Sequence, residues 1–434
     1  MGVLRDRNTF LFVGVSLVAG FAGTAMSLAA GLWAMDLTGS ASLAAVAGAC
    51  VFAPSLAGPV LGALVDRLPR RPLLIWTSLT LAGLLLLLLA VRSPDQLWLL
   101  YTVMLGYGVS YVLLDAGEAA VLPAALPDEQ LGEVNGLRMT AQEGTKLIAP
   151  LVGAALFTRF GGPAVAVLTA TLLAVAAGLY AAVRTTLAPA PPGGSPSAAG
   201  HHHPAAGHEQ SAAGHDRQGG FRTGFGFLRS RRPLRAVVLV ATVSMLMAGL
   251  GTAVQYAVVD DGLHRPVAFL GVLASVQGAG SIAGGLLAGR LLTRYGELPL
   301  AGWGALLLTA GTALRCLPWT PAVLVSAVLM GAGLPWTVIA AMTAVQRQTP
   351  HALLGRVAAT ANSLVFAPTS ITLLTGAGLL ALLDYRIPLG VSALGTLLVG
   401  GWALTRRYDT PTPAPSPADP AVGTDRGVAD VVHR

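Results

Sequence analysis

Long apolar runs separated by short polar segments recur along most of the chain. Runs of about 17 to 25 apolar residues are long enough to cross a bilayer as helices, and these lack the alternation typical of barrel strands. Arg5 and Arg7 precede the first run, which is too long for a signal peptide. The pattern predicts twelve membrane helices, at residues 10–34, 43–65, 72–91, 96–120, 132–157, 163–183, 234–259, 266–291, 298–316, 321–345, 354–382 and 387–405.

Composition indicates that most of the surface of this chain faces lipid. Hydrophobic residues make up 54% of the 434 residues and charged residues only 11%, and the mean hydropathy is +0.68. Soluble domains carry about a quarter charged residues. Cys50 and Cys316 lie in separate runs, and we expect them to be packing residues rather than a disulfide or metal ligands.

The arginines are distributed unevenly between the two sides of the predicted membrane. Positive residues accumulate on the cytoplasmic side, so we expect both termini and residues 184–233 to lie in the cytoplasm. This asymmetry accounts for the net charge of +7 without a nucleic-acid partner. The richer side holds Arg5, Arg7, Arg67, Arg70, Arg71, Arg138, Arg290, Arg294, Arg347, Arg356, Arg406 and Arg407, and the other side holds Arg92, Arg159, Arg265, Arg315 and Arg386.

Residues 184–233 interrupt the helical pattern. They are rich in Pro, Gly, Ala and His and have no apolar period, which predicts a disordered cytoplasmic linker. The tail at 408–434 has the same character. We therefore predict one six-helix bundle at 1–183 and a second at 234–407.

The two predicted bundles repeat each other at an offset of 223 residues. "GALVDRLPRR" begins at Gly62, and "GLLAGRLLTR" begins at Gly285. "LGEVNG" at Leu131 and "LGRVAA" at Leu354 have the same offset. Two matches at one offset indicate two parallel six-helix halves.

The segment from Gly62 to Arg71 resembles the signature loop of major facilitator transporters, G-x-L-x-D-R-x-x-R-R, and lies between the second and third predicted helices. "WAMDLTGSASLAAVAGACVFAPSLAGPVLGALVDRLPRRPLL" and "TPHALLGRVAATAN" resemble macrolide and siderophore exporters of the drug:proton antiporter branch. The resemblance covers about residues 10–405, except the linker. It implies an all-α membrane protein with twelve transmembrane helices in two pseudo-symmetric six-helix bundles.

The same resemblance implies a secondary active transporter rather than an enzyme. We expect it to export a small organic molecule, a drug or a secondary metabolite, by alternating access in exchange for protons. The energy source would be the proton gradient, with no bound cofactor. We expect a monomer in the bilayer of a bacterial cell membrane.

In that family the signature loop is a latch on the cytoplasmic side. The resemblance implies that Asp66 contacts the N-terminal end of the helix at 354–382, whose dipole favours an anion. The alternative is a topology anchor, in which the arginines only fix the orientation. The predicted latch residues are Gly62, Asp66, Arg67, Arg70, Arg71, Arg290, Arg294 and Arg356.

The only lysine of the chain, Lys146, lies three residues after Glu143 in the fifth predicted helix. Together with Arg138 and other polar residues it forms a stripe about 140° wide, which must face the bundle interior or a water-filled cavity. We expect Lys146 to pair with Glu143. The proton-coupling candidates are Asp115, Glu118, Arg138, Glu143 and Lys146, and the alternatives are a structural ion pair and a substrate contact.

Exporters of this family also carry a glycine–proline pattern in the fifth helix, G-x8-G-x3-G-P-x2-G-G. Gly136, Pro150 and Gly153 match it and imply a packed, kinked helix, while other small residues replace the remaining glycines. The family's arginine in the fourth helix is not evident, so a proton relay would use residues such as Arg138 and Lys146.

A central cavity with several aromatics and few charges from the second half would suit bulky amphipathic or cationic molecules. The same aromatics could instead be packing residues, and Asp36 could cap the turn that follows it. The cavity candidates are Asp36, Trp33, Tyr107, Tyr111, Gln142, Tyr256, Gln277, Trp336, Asn362 and Phe366.

Several alternatives stay open. Histidine is a common metal ligand, so the linker could serve a divalent-metal exporter, although the irregular spacing favours a passive linker. An importer of a nutrient or metabolite, and a sensor or assembly partner that transports nothing, would share the fold. No G-x-x-x-x-G-K-[ST] occurs, so ATP hydrolysis is not expected. The weak metal candidates are His201, His202, His203, His208 and His215.

Overall fold

The computed structural model describes residues 6–65, 67–126, 128–183 and 217–406. These residues form helices joined by short connections, and they contain no strand. The all-helical class predicted from the apolar runs is confirmed.

The first half of the chain forms α1 to α7. Between α2 and α3 lies a 3-10 turn, Ala53–Ala57, with Pro54 in its first turn. Because proline has no N–H to donate, regular α-helical bonding is interrupted there. The helices are α1 Arg7–Thr38, α2 Ala41–Phe52, α3 Gly58–Val65, α4 Arg70–Leu87, α5 Leu97–Ala125, α6 Asp128–Phe160 and α7 Gly162–Ala182.

The second half forms α8 to α15. The seventh predicted span is interrupted at Val254, and a π-helix, Val258–Gly262, follows α10. The helices are α8 Arg217–Ser230, α9 Arg232–Ala253, α10 Gln255–Ala257, α11 Phe269–Tyr295, α12 Glu297–Arg315, α13 Thr320–Gln348, α14 His351–Leu380 and α15 Arg386–Thr405.

All twelve predicted runs coincide with helical segments. Within the described ranges, nine stretches are long and apolar enough to cross a membrane. The other three predicted spans are not among these nine stretches, and each has a feature that explains why. Residues 43–65 are broken by the 3-10 turn, 132–157 carry the charged stripe, and 298–316 contain glycines, a proline and charged ends.

The prediction of one disordered linker over residues 184–233 is wrong at its C-terminal end. Residues 217–230 form α8, which packs against α14. Leu228 is buried in the core of the second half. The glycines of α8 disfavour a helix in isolation, and tertiary packing overrides that preference.

Hydrogen bonds between helix ends define two faces of the bundle. Arg7 Nη2 donates to the Ala182 carbonyl at 3.3 Å, and Asn8 Nδ2 donates to the Ala125 carbonyl at 2.9 Å. The start of α1 therefore lies beside the ends of α5 and α7, and we call this end the terminal face. The other end, where α1 and α6 finish, is the opposite face.

Buried apolar side chains form three clusters. The cluster nearer the opposite face mixes both halves, with Met26 and Leu173 from the first and Tyr256 from the second. The two clusters nearer the terminal face each belong to one half, one within residues 11–183 and one within residues 228–403. In the described part of the chain, the halves share a core near the opposite face and have separate cores near the terminal face.

Glycines let α6 and α11 meet closely across the two halves. A Cβ added to Gly271 would lie 2.6 Å from Ala154 Cβ and 2.7 Å from the Pro150 carbonyl oxygen. A Cβ added to Gly278 would lie 3.1 Å from the Lys146 carbonyl oxygen. Small residues allow membrane helices to approach with their backbones, so the halves are joined here by close backbone packing.

Candidate functional site

The charged pair predicted in the fifth span is present on α6. Lys146 Nζ lies 2.6 Å from Glu143 Oε1. The Lys146 side chain is 53% exposed and that of Glu143 is 39% exposed, so the pair is not sealed in the core. The backbone contact with Gly278 places Lys146 at the level where α6 meets α11.

The pair points away from the apolar outer surface of α6. Ile148 and Leu151 are exposed, and they lie roughly 140° to 160° around the helix from Lys146. Around the circumference of α6, Lys146 lies between Gly153 and Pro150. Gly153 packs on α1 of its own half, and Pro150 packs on α11 of the other half. Lys146 therefore projects between the halves, as the cost of exposing a charge to lipid requires.

Asp115 and Tyr111 are exposed on α5, Tyr111 by 62%. They are four residues apart and so lie on the same side of the helix. Within the described ranges, Asp115 takes part in no hydrogen bond or ion pair. α5 thus presents a carboxylate that no hydrogen bond or ion pair among the described residues holds in place.

Glu118 lies in a closed network instead. Its carboxylate accepts hydrogen bonds from the Arg138 guanidinium and from the Tyr180 hydroxyl. Arg138 Nε also donates to Ser16 Oγ at 3.1 Å. The Glu118 and Arg138 side chains are each only 13% exposed. The network joins α1, α5, α6 and α7, and no pattern in the sequence indicated Tyr180 or Ser16 as members.

The predicted latch falls partly outside the described residues. Asp66 and the surroundings of Gly62 are not described, so contact of Asp66 with α14 stays a prediction. Arg71 donates to the carbonyls of Tyr180, at 3.4 Å, and of Ala181, and thereby joins α4 to the end of α7. The other predicted latch arginines are exposed: Arg67, Arg70, Arg290, Arg294 and Arg356.

The glycine–proline residues of α6 lie at helix contacts. A Cβ added to Gly153 would lie 3.2 Å from the Ala25 Cα, which shows the predicted close packing. α6 continues as a helix through Pro150. Gly136 belongs to α6, but its surroundings are not described, and the predicted kink stays a prediction.

Three of the predicted cavity aromatics are buried in the shared core. Trp33 packs against Gly162, and Tyr256 packs against Gly31 across the two halves. Tyr107 belongs to the same cluster. In this conformation these rings close the opposite face, and their role in a cavity stays a prediction.

The remaining cavity candidates are more open. Asn362 and Phe366 are exposed on the side of α14 roughly 140° to 180° from the exposed Ile371. Gln142 is exposed on α6. Trp336 is half-buried, and its Nε1 donates to a carbonyl of α11 at 2.8 Å.

Asp36 does not cap the turn after α1. The Thr38 hydroxyl accepts from the Ser40 N–H at 3.2 Å, and the Ser40 hydroxyl accepts from the Leu43 N–H at 3.4 Å. The alternative role suggested for Asp36 is therefore wrong. Asp36 is exposed at the opposite face.

Arg315, one of the arginines assigned to the non-cytoplasmic side, is buried rather than exposed. It is the last residue of α12 and is 6% exposed. Its Nε donates to Ser326 Oγ and its Nη2 to Gln277 Oε1, both at 3.4 Å. The C-terminal end of a helix favours a cation. Gln277, a predicted cavity residue, is thus engaged within its own half.

The histidines predicted as weak metal ligands lie outside the described residues. Among the residues that the structure describes, no group of three or more His, Cys, Asp or Glu side chains is arranged to hold a metal ion. The metal alternative therefore receives no support from this part of the chain.

Comparison with known proteins agrees with this architecture. Macrolide efflux protein A of Streptococcus pyogenes is 29% identical over 126 residues, which are 28% of this chain and 31% of that protein. Macrolide efflux protein A of Enterococcus faecalis is 28% identical over 103 residues, 23% of this chain and 32% of that protein. The aligned part of the chain thus spans about a third of the length of these curated relatives.

Solved structures show the same fold at low sequence identity. A variant of the nucleoside transporter NupG matches with a TM-score of 0.67 and 12% identity, over 92% of this chain and 99% of that one. A bacterial homologue of the iron transporter ferroportin, in an inward-facing state, matches with a TM-score of 0.65 and 16% identity, over 93% and 99% of the two chains. Residues 11–259 and 236–426 match the family profile described as Major Facilitator Superfamily. The chain therefore belongs to the Major Facilitator Superfamily and has the multi-pass membrane fold of its transporters.

Proposed function

We propose that this transporter exports a small organic molecule by alternating access in exchange for protons. It works as a monomer in a bacterial cell membrane, with both termini in the cytoplasm, no bound cofactor and the proton gradient as its energy source. The observation that supports this most is the position of the Glu143–Lys146 pair. It is partly exposed, and it projects between the halves at the level where α6 meets α11.

A carboxylate beside an amine at that level can couple a proton to the movement of the halves. While the halves are open toward the cytoplasm, Glu143 is ionised and paired with Lys146. When they open outward, Glu143 takes up a proton, the ion pair is lost and the arrangement of α6 against α11 changes. Asp115, exposed on α5, offers a second carboxylate to attract the proton or a cationic substrate.

The arrangement of the three cores supports loading of substrate from the cytoplasm. The halves share a core near the opposite face and are separate near the terminal face. The excess of arginine supports assigning the terminal face to the cytoplasm by the positive-inside rule. An exporter takes up its substrate from that side.

The exposed side chains among the cavity candidates favour an amphipathic or cationic substrate. Tyr111 and Phe366 offer aromatic surface, which attracts organic cations as well as apolar groups. Gln142 and Asn362 add hydrogen-bonding groups. Macrolides are the first compounds to test, because the relatives in Streptococcus and Enterococcus are named macrolide efflux proteins.

A growth-inhibition panel in an efflux-deficient bacterial host tests the proposal. Cells producing the wild type should grow at macrolide concentrations that inhibit the empty-vector host. Glu143→Gln and Lys146→Ala should lower protection to the level of the empty vector. Arg159→Gln, an exposed change near the end of the same helix, is the matched control, and all variants are compared at equal membrane abundance.

Transport direction needs a separate measurement. Everted vesicles under an imposed proton gradient should accumulate a compound identified in the panel, and a protonophore should abolish the accumulation. Uptake into whole cells instead would establish an importer. Full protection by both Glu143→Gln and Lys146→Ala would overturn the proposed coupling site.

A further inference from the structure

A cluster of arginines lies where α8 joins α9 on the terminal face. The sequence there reads "FLRSRRPLR", and it contributes Arg229, Arg231, Arg232 and Arg235. All four are exposed. Among the described residues none of them forms an ion pair, and the first turn of α9 contains no acidic residue. Four positive charges are therefore concentrated here, and no acidic side chain in the described part of the chain pairs with them.

α8 is held against the second half of the molecule by buried residues that precede the arginine cluster in the sequence. Gly224 lies so close to α14 that an added Cβ would be 2.7 Å from the Arg356 carbonyl oxygen and would overlap Thr360 Oγ1. Leu228, one turn later, is buried in the core of the second half. The position of α8 is therefore set by contact with the first turns of α14.

The outward side of α8 combines an aromatic ring with positive charge. Phe225 is 43% exposed, and Arg229, four residues later, shares its side of the helix. The Arg231 guanidinium lies 5.6 Å from the centre of the Phe227 ring. Basic residues beside exposed aromatics are typical of helices that lie in the interface of a membrane.

We propose that Arg229, Arg231, Arg232 and Arg235 bind the phosphate groups of anionic phospholipids in the leaflet at the terminal face. Charge complementarity carries the assignment, since clusters of arginine next to the start of a membrane span attract anionic headgroups. Guanidinium groups match phosphate with paired hydrogen bonds. The exposed ring of Phe225 enters the same interface.

Through this site, the lipid composition of the membrane can influence transport. α14 begins at the terminal face, where the two halves are separate, and α8 rests on its first turns. Headgroups that hold α8 at the membrane surface also restrain this end of α14. The assignment does not depend on the direction of transport or on the coupling ion.

Lipid binding by the purified full-length protein tests this site directly. In detergent micelles titrated with phosphatidylglycerol, native mass spectrometry should show bound lipid on the wild type. Arg231→Gln with Arg235→Gln should weaken that binding by roughly thirtyfold. Arg159→Gln with Arg265→Gln removes the same charge from exposed positions at the opposite face and should leave binding unchanged.

Further measurements separate the lipid from other anions and from misfolding. Inorganic phosphate at millimolar concentration should not displace the lipid, and phosphatidylcholine should not replace it. The thermal unfolding midpoint without added lipid should match between the two double variants, which excludes loss of folding as the cause. Equal phosphatidylglycerol binding by both double variants, or full displacement by inorganic phosphate, would overturn the proposal.

Discussion

Two ion pairs within the helices of the first half differ in their surroundings. Glu118 and Arg138 are each 13% exposed and have their hydrogen bonds satisfied by one another, Tyr180 and Ser16. The Glu143–Lys146 pair is 39% and 53% exposed and stands between the halves. A buried, satisfied network fixes helices, whereas an exposed pair is free to change its partners. We therefore expect substitutions in the Glu118–Arg138 network to change stability, and substitutions in the Glu143–Lys146 pair to change transport.

Removal of the Glu118 carboxylate should destabilise the protein. Glu118→Leu breaks the buried ion pair with Arg138 and removes the acceptor of the Tyr180 hydroxyl, and breaking a buried pair in this way costs about 3–5 kcal/mol in proteins. Adding Arg138→Met to Glu118→Leu removes the positive charge of the pair and should restore most of the lost stability. Thermal unfolding of the purified variants in detergent measures both effects. A double variant less stable than Glu118→Leu would contradict this explanation.

Asp261 should make stability depend on pH at the opposite face. Burial, followed by the charges of Asp260 and Asp384, raises its pKa, and His264 acts against them. A raised pKa in the folded state favours the protonated form. The contribution of Asp261 to stability is thus complete below its ordinary pKa, about 4, and is lost as pH rises through the raised value.

Asp261→Asn should therefore raise the unfolding temperature at neutral pH and leave it nearly unchanged near pH 4. Asp95→Asn, an exposed change in the short 3-10 turn before α5, is the control. If Asp261→Asn raises the unfolding temperature equally at both pH values, the charge of Asp261 is not the cause of the increase.

At the scale of helices, apolar run length predicts where helices occur but not where they are interrupted. Hydropathy does not distinguish an α-helix from the 3-10 turn at Ala53–Ala57 or from the π-helix at Val258–Gly262, because the same apolar residues suit all three. α8 is rich in glycine, so its helix depends on contact with α14, which is distant in sequence. Only tertiary structure contains that information.

The candidate site was predictable to the extent that it is made of charges. A lysine and a glutamate three apart in an apolar run predict a pair on one face, and the pair is present. Tyr180 and Ser16 are uncharged and lie in apolar runs, where such residues are common. Their role in the network depends on the packing of α1 and α7 against α5 and α6, and spacing along the chain does not reveal it.

Gly31 should control closure at the opposite face. A Cβ at this position in α1 would overlap the Tyr256 phenol oxygen, so Gly31→Ala should push α1 away from α10. We expect a lower unfolding temperature, and Tyr256→Ala in the same chain should recover part of the loss. Gly14→Ala on the same helix meets only Leu179, at an ordinary 3.5 Å, and is the control. Unchanged stability of Gly31→Ala would show that the ring is not held there.

At the scale of the molecule, the shared core lies near one face only, so the two faces should differ in access to water-borne reagents. Cys50 and Cys316 are the only cysteines and can be replaced by serine. Asn362→Cys on that background should then react with an impermeant maleimide applied at the terminal face. Val254→Cys, in the shared core, should be protected from both sides.

Inside-out vesicles and whole cells distinguish the two sides. Labelling of Asn362→Cys should be faster in the vesicles, where the cytoplasmic side faces outward. Faster labelling in whole cells would mean either that the terminal face is outside or that the cleft opens toward the opposite face. An intact-membrane control with a permeant maleimide shows that the thiol itself is reactive.

The clusters near the terminal face have a further consequence for how the protein can be assembled. Each half has its own core there, and the described interface between the halves includes the shared cluster, the glycine contacts of α6 and α11, and the contact of α2 with α14. All of these contacts are made by described residues that lie before residue 184 or after residue 216. Two separate polypeptides, 1–200 and 201–434, should therefore find each other in the bilayer when coexpressed and restore drug resistance, whereas neither fragment alone should do so.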